Sequence, residues 1–433
     1  MSTHTVVVND CSAVAALGGP TPVRTRDTAH GSQNFRLNFG ALAAGLPRQL
    51  IGREQDWLET IGHIFAIDLA CPRGAGDILW ARDIEAHLPV RDPDFWNEVA
   101  PRIEAIFSDF TMDRLHLQFV ADDSPRDPPR QAVDPFPEHD SVALVSGGVD
   151  SFVGAALLID QGNRPIGVAH TAAGAITHAQ SLVESVLVDR CPSFLRLGIT
   201  AQKTGTSFVG PEPSQRSRSL MFLAAAAVVA SVGTTNRIYI NENGVMAIHV
   251  PMTAARMGSL STHTASPVVV GRVESLMSDV LGSPLSISNE LVGLTKPEVV
   301  ALGVRLGLSD PLAETVSCWS IGRTGVHCGV CAPCLMRRIS FETHGVPDAD
   351  YKEDAFDDPD AIQTAFAVDN LTHLVRLVDG IRSSSDLEMQ LNYPELLNGA
   401  SAMSIGGCID LYRRWADEAA AILFTRAVPL TVR

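Results

Sequence analysis

Ser141-Val142-Ala143-Leu144-Val145-Ser146-Gly147-Gly148-Val149-Asp150-Ser151, continuing into Phe152-Val153-Gly154-Ala155-Ala156-Leu157-Leu158, decides the fold. An apolar run bounded by a turn reads as a buried strand, and the apolar stretch after it as the start of a helix. Glycines let the backbone come close to an anion, and the first-turn N–H groups of a helix point at it. Ser146, Gly147, Gly148, Val149, Asp150 and Ser151 are therefore the candidate phosphate loop. The lysine of a GxxxxGK[ST] loop is missing, so this is a phosphate loop of another kind. An ordinary Gly-Gly turn with Asp150 or Ser151 as helix N-cap is the alternative.

On the C-terminal side, strand signals recur at 141–146, 165–170, 193–197, 237–241 and 284–288, with helical segments between them. One of these is the apolar stretch from Arg218 to Gly233. That alternation predicts an α/β fold with a doubly wound parallel sheet and ligands at the carboxyl ends of its strands. His170 would end one of those strands on the ligand side. On the N-terminal side, residues 1–121 mix both signals and predict an α+β module. Ile84, Ala86, Leu88 and Val90 alternate as in a strand, as do Leu115, Leu117 and Phe119; Phe95, Val99, Ile103 and Ile106 recur at helical spacing. Residues 122–140 carry Pro125, Pro128, Pro129, Pro135 and Pro137 and read as a linker. The central domain then covers 141–344, and 345–433 is a helical extension. It opens with an acidic stretch (Asp348, Asp350, Glu353, Asp354, Asp357, Asp358, Asp360) that predicts a solvated surface segment.

Composition narrows the class. The chain has 433 residues, 45% hydrophobic and 19% charged, which suits a large buried core. A formal charge of −16 argues against general nucleic-acid binding by the whole surface. The run Leu220–Val232 falls short of the roughly 20 residues a membrane span needs. No basic-then-apolar leader pattern is seen, and the expectation is a cytoplasmic, soluble protein.

Cys318, Cys328, Cys331 and Cys334 form C-x9-C-x2-C-x2-C, with Gly329 after the second cysteine. Two-residue spacings let thiolates converge on one ion, and four sulfurs with no open position suit structural Zn²⁺. An iron–sulfur cluster uses the same ligands. His327 adjoins Cys328 and is expected beside the ion rather than on it.

Three further positions carry candidate chemistry. Arg216 and Arg218 stand at the start of the apolar helix, where the helix dipole disfavours cations unless an anion is bound. Solvent-exposed arginines are the alternative. Lys296 lies at another helix start, with Thr295 as N-cap.

The loop and cysteine motifs, taken together, resemble the 7-cyano-7-deazaguanine synthases of the QueC family of PP-loop ATP pyrophosphatases. The resemblance runs from about Ser141 to Phe341. It rests on SGGVDS, the arginine-bearing helix start, Thr295-Lys296-Pro297-Glu298-Val299, Ser317-Cys318-Trp319 and Cys328-Gly329-Val330-Cys331-Ala332-Pro333-Cys334-Leu335-Met336-Arg337-Arg338. It implies a ligase that adenylates the carboxylate of 7-carboxy-7-deazaguanine with ATP and Mg²⁺, releases pyrophosphate and lets an amine displace AMP. The residues at Ser146 to Ser151, with His170 and Arg216, would bind ATP; Asp150, Ser151, Lys296 and Arg218 would serve catalysis; the cysteines would hold Zn²⁺. The added segments at both ends are similar to the QatC component of bacterial anti-phage defence systems. That similarity implies other defence-operon proteins as partners, a partner-protein amine as an alternative to ammonia, and no membrane. Homo-oligomerisation stays open. The rival readings are a nucleotide-binding scaffold or sensor without turnover and a PP-loop tRNA sulfurtransferase.

Overall fold

The structure is a computed structural model, and the residues it describes are 2–12, 19–39, 42, 45–73, 81–122, 138–170, 174–188, 194–200, 212, 216–233, 235–252, 263–356, 362 and 364–425. Most of the expected linker, and the loop at 258–262, lie outside them.

Two sheets organise the chain. The first has the order β2-β1-β4-β5, built from β1 (Ser2–Val8), β2 (Thr21–Val23), β4 (Arg82–Val90) and β5 (Arg114–Ala121), with every pairing parallel. The N-terminal module, expected as α+β, is thus itself a parallel α/β unit. The second sheet has the order β10-β9-β6-β7-β8-β3. Its parallel strands are β6 (Ser141–Leu144), β7 (Pro165–His170), β8 (Phe194–Thr200), β9 (Arg237–Tyr239) and β10 (Ser286–Ser288). These are the five strands expected from the sequence, with ends shifted by a few residues.

β3 (Arg36–Asn38) comes from the N-terminal module and closes the edge of this sheet, antiparallel to β8. No sequence signal marked it, because a three-residue strand is below the length that periodicity can read. One hydrophobic core runs from Val6 through Trp57 and Phe107 to Ile287. Residue 121 is therefore not a structural boundary. The alanine-rich helix Arg218–Val232 explains why. It is apolar on all sides because it lies between the helix Gly52–Ala70 and strands β6 and β7, and a helix buried all round needs no polar face.

The extension is helical, as expected: Ala365–Ser383, Asp386–Asn392 and Ile405–Thr425. It packs on the helix Ala332–Thr343 in a core that also contains the four cysteines. The acidic stretch is not merely solvated. Asp348 accepts from buried Arg337 Nε at 2.6 Å, and Asp354 pairs with Arg338 at 2.9 Å. Arginines that lie in a core need such partners, which pulls the carboxylates onto the surface of the fold. Among the described residues, no helix is long and apolar enough to cross a membrane.

Candidate active site

In the six-stranded sheet the chain runs from β6 to β7 and β8 on one side, then returns to β9 and β10 on the other. The crevice beyond the carboxyl ends of β6 and β9 is the switch point where α/β sheets bind ligands. Both the phosphate loop and the segment Asn241-Glu242-Asn243 open into it.

The loop is held by its own side chains. Gly147 has φ +85, a left-handed conformation that side chains resist, and an added Cβ would press on Ala179 and Gln180 at 3.2 Å. Ser151 Oγ donates to Gly148 O at 3.1 Å and receives the Ser146 N–H at 3.1 Å. The Val316 N–H donates to Gly147 O at 2.9 Å. Val316 is held in turn by fully buried Arg337, whose guanidinium donates to the carbonyls of Leu312, Ala313 and Thr315. The motif arginine thus acts on the loop through one intervening strap. Gly148 is the N-cap of the helix Val149–Asp160, so the first-turn N–H groups face the crevice.

Asp150, in the first turn of that helix, is buried at 5% exposure. Lys296 Nζ donates to its Oδ2 at 2.7 Å and Asn243 Nδ2 to the same oxygen at 3.0 Å. Oδ1 makes no hydrogen bond of ordinary geometry. Burial alone would raise the Asp150 carboxyl, but the charge of Lys296 holds it below the usual carboxylate range. Glu242 behaves oppositely: burial first, and then the charge of Asp150, push it well above that range. Two neighbouring carboxyls driven apart in this way, beside a lysine in a crevice, mark a candidate functional site.

Glu242 and Asn243 escaped the sequence reading. The available signal was Asn241-Glu242-Asn243-Gly244, a polar cluster with an acid directly after a predicted strand. Asn289 fixes it, donating to Glu242 O at 2.8 Å and accepting its N–H at 3.2 Å.

The crevice has two lobes that share Ser146, Ser151, Asn241, Glu242, Val316 and Ser317. One, of about 210 Å³, contains Asp150 and Lys296 and is bordered by Trp319 and Met336. The other, of about 280 Å³, holds His170, Arg218 and Phe222. The His170 ring lies 5.0 Å from that of Phe222, and burial, with the charge of Arg218, lowers it to about 4. It is therefore neutral at pH 7. Arg218 is itself lowered by burial.

Ser146, Gly148, Val149, Asp150, Ser151, His170, Arg218 and Lys296 thus line one continuous crevice, with Gly147 in its supporting turn. Arg216 does not. It is 2% exposed, and its Nη1 donates to Thr111 O at 3.1 Å in the N-terminal module. Next to it, Ser217 donates through both N and Oγ to Asp68. Arg216, just before the helix N-cap Ser217, joins the two sheets because the helix start lies over the N-terminal core. Of the two arginines, Arg218 reaches the crevice.

The C-terminal helix Ile405–Thr425 supports both arms of the Asp150 cluster. Tyr412 Oη donates to Val245 O at 2.8 Å and accepts the Val250 N–H at 2.9 Å, bracketing the short helix Gly244–Ile248 that Asn243 caps. Glu418 accepts from Thr295 Oγ1 at 2.7 Å, and Thr295 caps the helix that begins with Lys296.

The sulfur atoms of Cys318, Cys328, Cys331 and Cys334 all lie within 4.8 Å of one another, with two separations of 3.9 and 4.0 Å. A tetrahedral ion with bonds of about 2.3 Å requires sulfur–sulfur distances of about 3.8 Å, so the four fit Zn²⁺. Cys328 N donates to Cys318 Sγ at 3.3 Å and Cys331 N to Cys328 Sγ at 3.4 Å, the N–H donors that thiolates on a metal accept. His327 is not a ligand, because its Nε2 accepts the Ser317 N–H at 3.2 Å. It ties the cysteine knuckle to the strap behind the phosphate loop.

A glycine-supported phosphate loop at a switch point, with a carboxylate–lysine pair and a four-sulfur knuckle beside it, defines a PP-loop type of site. Residues 165–345 match the family described as Queuosine biosynthesis protein QueC. A 7-cyano-7-deazaguanine synthase of Hydrogenovibrio crunogenus is 30% identical over 132 residues, 30% of this chain and 53% of that protein. Those of Myxococcus xanthus and Desulfatibacillum aliphaticivorans are 28% and 27% identical over 48% of this chain, and over 95% and 94% of their own lengths. The chain spans about half the length of several of the curated relatives it matches. Residues 165–345 of this chain are thus similar to the QueC family.

Proposed function

We propose that this protein uses ATP to adenylate the carboxylate of a 7-deazaguanine, releases pyrophosphate and transfers the acyl group to an amine. The observation that carries the reading is the buried Asp150, ion-paired to Lys296 in the first turn of the phosphate-loop helix and paired electrostatically with Glu242. A carboxylate is a poor electrophile because oxide is its leaving group, and AMP leaves far more easily. The N–H groups of the phosphate loop would hold the phosphates at the helix start. Lys296 would neutralise charge that accumulates on pyrophosphate.

Mg²⁺ fits the donor set. Asp150 and Glu242 would offer it two buried carboxyl groups that lie against one another. The ion would shield the departing pyrophosphate. Arg218, in the other lobe, is suited to a substrate carboxylate, and neutral His170 and Phe222 to the face of a heterocycle. The acceptor is ammonia or an amine of a partner protein. The segments at both ends, similar to QatC, support a role beside other defence-operon proteins in the bacterial cytoplasm.

The test is pyrophosphate release by the full chain with ATP, Mg²⁺ and 7-carboxy-7-deazaguanine. Release that depends on the deazaguanine and is lost in Asp150→Ala is the expected result. Release only with tRNA and a sulfur donor, or tight ATP binding without turnover, would overturn the reading. Intact-mass analysis of co-expressed partners would identify a protein acceptor by a deazaguanine adduct.

A further inference from the structure

The N-terminal sheet has a switch point of its own. The chain passes from β1 to β2 on one side, then to β4 and β5 on the other, so the strand order reverses between β1 and β4. A cavity of about 330 Å³ opens there. Every strand of that sheet contributes to it from its carboxyl end. Asn9 follows β1, Thr25 and Arg26 follow β2, Pro89 is near the end of β4, and Asp122 follows β5. The opposite wall is one face of the helix Gly52–Ala70, where Gln55, Glu59 and His63 are spaced by four residues.

This mouth is a built structure. Asn9 and Asp10 have φ of 51 and 52, two consecutive non-glycine residues in the left-handed region. Such backbone persists only where its surroundings enforce it, and it concentrates at functional sites. Here the Thr25 N–H donates to Asn9 Oδ1 at 2.8 Å, Asn9 Nδ2 to Thr25 Oγ1 at 3.1 Å, and Arg24 Nε to Asp10 at 2.8 Å. Thr25 Oγ1 lies 3.0 Å from Nε2 of His63, which is 3% exposed.

We infer that this cavity is a second ligand site, for a phosphate-free planar heterocycle with N–H donors on its edge, such as a purine nucleoside. Glu59 and Asp122 outnumber the single guanidinium of Arg26, so a phosphate would meet net negative charge. Glu59, oriented by Gln55 Nε2 donating to its Oε1 at 2.8 Å, is a directional acceptor for ring and amino N–H groups. Leu37, Phe39 and Pro89 supply the apolar surface against which a flat ring packs. The size falls in the range of small-molecule sites, from about 300 Å³ upward. The inference does not depend on the chemistry proposed for the Asp150 crevice.

The experiment is calorimetric titration of guanosine and adenosine, with GMP as the phosphate-bearing control, into the full chain saturated with α,β-methylene-ATP. One nucleoside bound per chain with the nucleotide site filled, and GMP bound at least about tenfold more weakly, is expected. Glu59→Gln and Phe39→Ala should each weaken nucleoside binding about tenfold or more and leave the nucleotide affinity unchanged. Crosslinking of wild-type protein with 8-azidoguanosine should label the peptide that carries Gln55 to His63, a readout independent of how the variants fold. Absence of binding at about 1 mM nucleoside, equal affinity for GMP, or labelling confined to the Asp150 crevice would overturn the proposal.

Discussion

Both sheets reverse the order of their parallel strands, between β1 and β4 in one and between β6 and β9 in the other. The two crevices that result are chemically different. The β6/β9 crevice is entered by backbone: two glycines and a helix N-terminus stand next to the strand, and the side chains there are an unevenly titrating carboxyl pair and a lysine. Among the described residues, the β1/β4 crevice is lined by side chains that hydrogen-bond to one another. Identical topology therefore provides a place for a ligand and says nothing of which one. Anion chemistry arises only where the chain can bring N–H groups up to the ligand.

The largest effect that separates the crevices is expected from Lys296→Ala. It removes the charge paired with Asp150 Oδ2 at 2.7 Å and should lower pyrophosphate release by at least about 10³-fold. Nucleoside binding at the N-terminal cavity should be unchanged in the same variant. Loss of both would mean that the two crevices form one functional unit.

Metal removal comes next. The cysteine knuckle lies in the core shared with the C-terminal helices, apart from the one that joins the two sheets. Metal analysis should find one zinc per chain. Chelation or Cys331→Ser should cost several kcal/mol of stability, because binding free energy at a structural site is folding free energy. Thermal unfolding should then show an early transition of the C-terminal helices. A single unchanged transition would show that the cysteines do not hold the metal in the folded protein.

Arg82→Ala tests the joint between the sheets. Arg82 is fully buried and bonds Asp68 at 2.5 Å and Asp113 at 2.5 Å, while Asp68 also receives Ser217. Removing the cation takes the guanidinium from buried Asp68, while Asp113 keeps Arg73 at 2.6 Å, at a cost of about 3–5 kcal/mol in denaturant unfolding. Because Ser217 precedes Arg218, the affinity for the deazaguanine should fall as well. An unchanged unfolding midpoint would mean that the network is not closed as described.

The smallest change is expected from Tyr412→Phe. It strands the Val245 carbonyl and the Val250 N–H, both buried, at a cost of about 1–3 kcal/mol. Its action on activity passes through Asn243 and Asp150, so kcat should fall more than KM rises. Equal effects on both would reduce the C-terminal helix to a packing element.

Much of the β6/β9 crevice was legible because its elements are local. A strand, two glycines and a helix start occupy adjacent positions, and three cysteines at two-residue spacings, with a fourth nine residues earlier, signal a candidate metal knuckle. Lys296 became visible through its motif. Glu242 and Asn243 did not, because an acid after a strand acquires meaning only when another strand's loop lies opposite. Arg216 and Arg218, two positions apart on one helix start, looked equivalent in sequence. Packing against Thr111 and Asp68 divided them.

By itself, the sequence determined the α/β alternation, the strand–Gly-Gly–helix turn at 146–151 and the four cysteines of a cluster that could hold a metal. Those depend on backbone conformation and on spacing within a few residues, which local composition dictates. Tertiary structure alone decided that β3 completes the second sheet and that the C-terminal helix braces Thr295 and Val245. It also pushed the Asp150 and Glu242 carboxyls in opposite directions, and gave the N-terminal sheet a crevice of its own. Each of these is a contact between distant segments, fixed by which surfaces must be buried together and invisible in the order of residues along the chain.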